Sequence, residues 1–400
     1  MCGALSFLRA SQGVKEMSQV TLIKNAHVYT PDDLGVRDVL IANGRFLAVD
    51  KDLDVKFPGM ETIDATGKIL TPGFFDQHIH VTGGGGEGGP VSRTPELNLS
   101  ELVACGTTCV VGVSGTDFIT RSIENLLAKV RALGEEGVST WMYTSNYRFP
   151  STTMAGSVAK DIFMVPECLG VKIAIGDHRS SFPTVDELMH LLADIRLAGM
   201  ISGKIGVLHI HSGNIPHAFD MYHEIVSRGF PIKHIRPTHC ARVRHVFDSA
   251  LQFAKAGGYI DFTTGGSCCF DKGPAVAFVE ALEAGVNPKL ITMSSDGHGS
   301  KPRFDDKGNM VGLAVCGIEC NLATVKELIL DYKMDIPTVL GFITRNVADS
   351  HGLKDQGRVE AGAVANALLF DQSFNLTDVF AKGRGMMRSG EIIVKGTFEV

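Results

Sequence analysis

A chain of 400 residues that is 44% hydrophobic and 20% charged can bury a large core and a smaller one, and its composition excludes a disordered polypeptide. The 38 Lys+Arg against 44 Asp+Glu give a formal net charge of -6, with no basic run that would suit nucleic acid. Nine cysteines at irregular spacing, with no C-x-x-C pair, exclude a disulfide framework and imply a cytoplasmic protein with reduced thiols; no apolar run reaches membrane-spanning length.

Residues 1–17, "MCGALSFLRASQGVKEM", have an early Arg9 and no long apolar stretch, so they read as a flexible extension and not as a signal peptide. From there to about residue 70, short β-rich runs alternate with turns: "VTLIKNAHVY", "DVLIANGRFLAV", "TIDATGKIL". Asn43-Gly44 marks a two-residue hairpin. The middle of the chain then alternates apolar β runs with helical patterns. The runs are "FFDQHIH", "TTCVVGVSG", "TWMYTSN", "VKIAIGD", "IGVLHIHSG", "HIRPTHC", "YIDFTTG" and "LITMSSDG". Helical segments such as "SIENLLAKVRAL" and "TVDELMHLLADIRLAG" lie between them. Eight strands with helices between them predict an α/β fold, a (β/α)8 TIM barrel, over residues 73–357. The tail returns to β-rich runs, "NALLFD", "VFAKG" and "IIVKGTFEV". Residues 1–72 and 358–400 therefore predict one small β-sandwich domain formed by both termini.

In such a barrel the chemistry sits at the C-terminal ends of the strands. His78 and His80 close the first strand, and alternate residues of a strand share a face. Two neutral nitrogen donors on one rigid edge suit Zn²⁺ or a similar divalent ion, although two structural histidines have the same spacing. His211 ends the fifth strand, His239 the sixth and Asp296 the eighth. A strand-end aspartate also serves as a helix N-cap; the weight lies in the five residues together. His209, one step deeper on strand five, reads as a support residue. Lys172 lies in the apolar fourth strand. Its amine either snorkels to water or, neutral, captures CO₂ as a carbamate that bridges two metals.

This pattern of strand-end residues resembles the binuclear amidohydrolase superfamily and, within it, the isoaspartyl dipeptidase (β-aspartyl peptidase) family. The resemblance covers nearly the whole chain and is densest in "DQHIHVTGGGGEGGP", "VKIAIGDHRS", "PTHCAR" and "SSDGHGS". It implies a metallo-dipeptidase with two divalent ions, zinc foremost. His78, His80, Asp296 and N6-carboxylated Lys172 would hold one ion; His211, His239 and the same carbamate would hold the other. It further implies a metal-bridging hydroxide as nucleophile, Asp296 as proton shuttle and Tyr147 as the group that polarises the scissile carbonyl. Glu87 would bind the α-ammonium of a dipeptide substrate, Arg179, Arg242 and Ser300 its carboxylates, and Thr116 would add a contact. The implied partners are that substrate and further copies of the chain in a homo-oligomer, an octamer being the size suggested, with no nucleic acid and no membrane.

The chemistry of the residues agrees. A β-aspartyl dipeptide carries one ammonium and two carboxylates, which call for one anion and several donors, and an arginine fork grips a carboxylate bidentately. The glycines after His80 let the backbone turn across the mouth and return Glu87 over the metals. Two departures stand out. Asn366 in "AGAVANALLF" stands where many relatives carry Asp, a matter of packing, and the loop "GGSCCFDKG" is unlike theirs. The competing readings are a cyclic-amide hydrolase of the hydantoinase or dihydroorotase kind with the same metal core, and a non-catalytic scaffold on the same fold.

Overall fold

The computed structural model describes residues 20–304 and 310–399. The extension expected over residues 1–17 lies outside the described residues. Five strands come first: β1 (Val20–Tyr29), β2 (Asp33–Ala42), β3 (Arg45–Asp50), β4 (Glu61–Asp64) and β5 (Ile69–Pro72). The β2–β3 turn is the expected Asn43-Gly44 hairpin; both residues have positive φ, 50° and 75°, as a type I′ turn requires.

Eight parallel-type strands follow where the sequence predicts them. They are β6 (Phe74–Ile79), β7 (Thr107–Gly112), β8 (Ser139–Thr144), β9 (Cys168–Ile175), β10 (Val207–Ser212), β11 (Ile235–Thr238), β12 (Ile260–Thr263) and β13 (Ile291–Ser294). β6 to β11 form one six-stranded sheet and β12–β13 a parallel pair. The pair meets the sheet on both sides. Cys240, after β11, donates its N–H to Asp261 O on β12 at 3.1 Å, and His80, after β6, donates to Gly297 O beyond β13 at 2.8 Å. Most of these strands are buried along their length, which explains their near-continuous apolar runs.

The intervening helices are locally specified. The helix Val185–Ser202 starts at a capping box, with Thr184 Oγ1 accepting from Glu187 N–H and Glu187 Oε2 accepting from Thr184 N–H at 2.7 Å. A cap of this kind contributes about 1 kcal/mol. The helix buries Leu188, Leu191, Leu192 and Ile195 on one face and stops at Gly203, φ 70°, the left-handed position glycine favours.

A hairpin, β14 (Ser300–Phe304) and β15 (Met310–Val315), rises after β13, and β16 (Ala367–Phe370), β17 (Leu376–Ala381), β18 (Arg384–Arg388) and β19 (Glu391–Ile392) end the chain. Strands from both ends then join. β5 pairs with β1 on one edge and with β16 on the other, Leu70 opposite Leu369, which makes one nine-stranded sheet. Its apolar residues, among them Val28, Val39, Ile41, Leu70, Leu369 and Phe380, form a core separate from that of the parallel strands. Asn366 ties the two parts together. Its buried Nδ2 donates to Gln356 Oε1 at 3.0 Å and lies 3.2 Å from Ser139 Oγ and from Cys109 Sγ, while Oδ1 accepts from Lys382 N–H at 2.9 Å.

Candidate metal centre and substrate site

His78, next to last in β6, is fully buried, and Nε2 of both His78 and His80 reaches Oδ1 of Asp296, at 3.3 and 3.2 Å. His78, His239 and Asp296 each offer a ligand atom within 4.8 Å of the others. Among the described residues, Nε2 of His78 and Nε2 of His239 are buried without a hydrogen-bond partner. Bare buried nitrogens are costly, and a cation bound by their lone pairs removes the cost; the donor set fits a divalent metal. Burial, with Lys172 adding to it, pushes His78 down to about 3 and lowers His80; burial and Arg242 hold His211 and His239 well below their usual value. All four imidazoles are therefore neutral donors at pH 7. Burial opposes ionisation of Asp296, but His239, His78 and His80 outweigh it and hold the carboxylate well below its ordinary range. His239 and Asp296 both take left-handed backbone, φ 60° and 58°, a conformation that non-glycine residues keep at functional sites where the surroundings enforce it.

Lys172 does not snorkel. It is fully buried in β9, donates from Nζ to Ser114 O at 2.8 Å and lies 4.9 Å from the Tyr147 ring centroid. Burial pushes its amine down to about 7, with Asp296 opposing and Arg179 and Arg242 reinforcing. His211 stands against His239, ring centroids 4.5 Å apart, but its nitrogens face other groups. Nδ1 lies 3.1 Å from Tyr147 Oη; Nε2 lies 3.0 Å from Arg242 Nη1 and 3.1 Å from Asp177 Oδ2.

The same cleft is lined by His80, Thr116, Tyr147, Arg179, Arg242 and Ser300. Glu87 comes back to it as the glycine tract predicts. Its Oε1 accepts from Arg179 Nη1 at 3.2 Å and from the Ser300 hydroxyl. The tract has to be glycine at Gly83 and Gly85, φ 78° and 76°, where an added Cβ would lie 2.3 Å from Thr94 O and 2.2 Å from Ser92 O.

Two acids were not anticipated from sequence. Asp177 binds Arg179 through both oxygens and approaches Arg242 at 4.0 Å; its signal is the Asp-x-Arg spacing in "GDHRS". Asp76, in the same stretch as His78, accepts from His78 N–H at 3.0 Å, Ser295 N–H at 3.1 Å and Asn321 Nδ2 at 2.8 Å. Burial raises it to about 7 against those hydrogen bonds.

The profile of the amidohydrolase family matches residues 69–386. The chain belongs to the amidohydrolase family. Within the family it is similar to the β-aspartyl dipeptidase of Fervidobacterium islandicum AW-1, whose crystal structure holds a β-Asp-Leu dipeptide. The two are 40% identical with a TM-score of 0.86, over 93% of this chain and 98% of that one. A dihydroorotase of Lactiplantibacillus plantarum is 23% identical to this amidohydrolase over 399 residues, 88% of this chain and 89% of the other. An adenine deaminase of Desulfotalea psychrophila matches locally, 28% identical over 179 residues; the chain spans only 28% of that relative's length. No helix among the described residues of the amidohydrolase is long and apolar enough to cross a membrane.

Proposed function

We propose that this amidohydrolase hydrolyses β-aspartyl dipeptides with the help of two divalent metal ions. The observation that carries the reading is the pairing of one acid, Glu87, with Arg179 and Ser300 beside the His78–His239–Asp296 cluster. A zwitterion with one ammonium and two carboxylates is complementary to that set of charges, and the 40% identical relative that holds β-Asp-Leu supports the choice.

His78, His80 and Asp296 would hold one ion together with a carboxylated Lys172, and His211 and His239 would hold the second with the same group. Lys172 is suited to that modification because burial lowers its amine to about 7, so a substantial fraction is neutral near pH 7, and neutral amine adds CO₂ with loss of one proton. The carbamate nitrogen keeps one hydrogen for Ser114 O. His211 would have to give up one of its present partners, Tyr147, Asp177 or Arg242, to serve as a ligand. When bound, the ions supply Lewis acidity toward the scissile carbonyl and ionise water near neutral pH; zinc suits four imidazoles with oxygen anions.

Asp296 takes the proton of the attacking water and delivers it to the leaving amine. Tyr147, whose phenol burial pushes well above its usual value, stays protonated and donates to the carbonyl oxygen as it gains charge. Glu87 receives the α-ammonium, Arg179, Arg242 and Ser300 the carboxylates, and Thr116 adds a contact. At the level of the whole chain we read residues 73–357 as a closed eight-stranded barrel. Residues 20–72 and 358–399 make the small β domain, read as a sandwich, and the protein is a cytoplasmic homo-oligomer.

A cyclic-amide hydrolase is the second reading, favoured by the dihydroorotase relative, but a cyclic substrate leaves Glu87 without an ammonium. Metal-replete protein offered β-Asp-Leu, α-Asp-Leu and dihydroorotate decides. Cleavage of the β isomer alone supports the proposal, and turnover of dihydroorotate with an inert β isomer replaces it.

A further inference from the structure

Behind the metal-facing histidines lies a second set of buried rings that the reaction does not use. His209 on β10 is 1% exposed, and its Nε2 is 2.7 Å from Nδ1 of His78. The His209 ring lies flat on Tyr143, centroids 4.7 Å apart at 16°. Tyr143 is held in turn: its hydroxyl is 2.5 Å from His351 Nε2, and His351 Nδ1 is 2.8 Å from Val347 O. A carbonyl can only accept, so His351 carries its proton on Nδ1 and receives the Tyr143 hydroxyl at Nε2. The tyrosine hydroxyl is thus committed away from His209, and the ring serves as a fixed platform.

We infer that His209 is a positioning residue for His78, accepting the Nδ1 proton and so holding the Nε2 lone pair toward the metal. The inference rests on His78 being a metal ligand. The 2.7 Å contact between two neutral imidazoles needs one donor and one acceptor. If His209 donated, His78 would carry its own proton on Nε2, which faces Asp296 at 3.3 Å and could not bind a cation. If His78 donates, Nε2 is a bare lone pair, in keeping with its lack of a hydrogen-bond partner. The proton of His209 then sits on Nδ1, which also lacks a partner among the described residues. A neighbour that fixes the tautomer and plane of a ligating histidine is usually a carboxylate or carbonyl; here a second imidazole clamped on an aromatic ring fills that place.

The test compares His209→Gln with His209→Met. The two side chains have similar length, but only glutamine can put an acceptor oxygen where Nε2 stands. Zinc affinity is read by chelator competition and zinc content by metal analysis, with kcat measured at saturating zinc and thermal unfolding as a control. The expected result is that His209→Met loses about 10–100-fold in affinity for one of the two ions while His209→Gln keeps wild-type affinity. Equal affinities in both variants and wild type, or equal losses in both, overturn the inference. Should His209→Met fail to fold, His209→Phe, which keeps a ring against Tyr143 but has no acceptor, takes its place with the same expectations. Wild-type protein that binds no zinc would instead remove the metal reading itself. Wild type with two ions and an unimpaired Met variant removes only the role of His209.

Discussion

Asp177 grips Arg179 with both carboxylate oxygens, Oδ1 to Nε at 2.8 Å and Oδ2 to Nη2 at 3.0 Å. Arg179 in turn reaches Glu87 at 3.2 Å. One buried acid therefore aims the guanidinium at the mouth of the cleft. Asp177→Asn keeps the shape and loses the charge, which should weaken the grip on the substrate carboxylate by about 2 kcal/mol, roughly 30-fold in kcat/KM. The loss should fall on KM for β-Asp-Leu while zinc content stays at wild type. A loss confined to kcat would make Asp177 a participant in the chemistry instead.

Selectivity between isomers should follow from Glu87. In a β-aspartyl dipeptide the ammonium and a carboxylate share one carbon, two bonds from the scissile carbonyl; in the α isomer the ammonium is one bond nearer. One rigid set of contacts cannot serve both, and unpaired buried charges give discrimination of about 10⁴ or more. Glu87→Gln should lower kcat/KM for β-Asp-Leu sharply, and a substrate without the amino group should lose as much with wild-type enzyme. Comparable kcat/KM for both isomers would contradict the role given to Glu87.

Lys172→Ala should lose the bridging anion, most of the bound metal and most of the activity. Acetate or propionate can enter the space left by the side chain, and partial recovery of activity on adding either is expected. Metal analysis showing two ions per chain in untreated Lys172→Ala would remove the carbamate.

Tyr147→Phe should lower kcat by roughly 10²–10³, the scale of one lost oxyanion donor, with metal content unchanged. A rise in KM at constant kcat would instead mark Tyr147 as a binding group.

Asn366→Ala should act on stability alone. It strands the Lys382 N–H that Asn366 Oδ1 accepts and breaks the contacts to Gln356 and Ser139. A buried group left unsatisfied costs about 1–3 kcal/mol. Denaturant unfolding should report that loss, with kcat per folded molecule unchanged.

The positions of His78, His80, His239 and Asp296 are legible in the sequence because apolar runs make buried strands and polar residues at their C-terminal ends gather together; Lys172, inside its strand, is legible as a lone charge in an apolar run. Glu87 is legible because nothing else explains an acid inside a glycine tract. Asp177 is easily passed over, since an acid beside a glycine reads as a turn residue, and only its spacing to Arg179 two residues on hints at the pairing. The Tyr143–His351 contact spans 208 positions, and no local pattern announces a pairing of that range. The partners of His211 were equally hidden, because a strand period fixes which face a histidine occupies and not which way its ring turns. In the terminal sheet β16 and β17 can be read, but β18 cannot, and of the run "IIVKGTFEV" only Ile392, in β19, is strand among the described residues; the junction of β5 with β16 is hidden too, because strands of similar composition do not name their neighbours.

That junction sets a schedule for synthesis. Ile69–Pro72 pairs with Ala367–Phe370, so the free edge of β5 waits for a partner that lies much further along the chain. At about 5–20 residues per second, the roughly 300 residues between them take about 15–60 s to emerge. For that interval the strand keeps an unpaired row of N–H and C=O groups, the kind of edge that recruits strands from other chains. The nascent protein is therefore most exposed to mispairing while its parallel strands are still being made, and a ribosome stalled before residue 367 would release a chain whose terminal sheet cannot be completed.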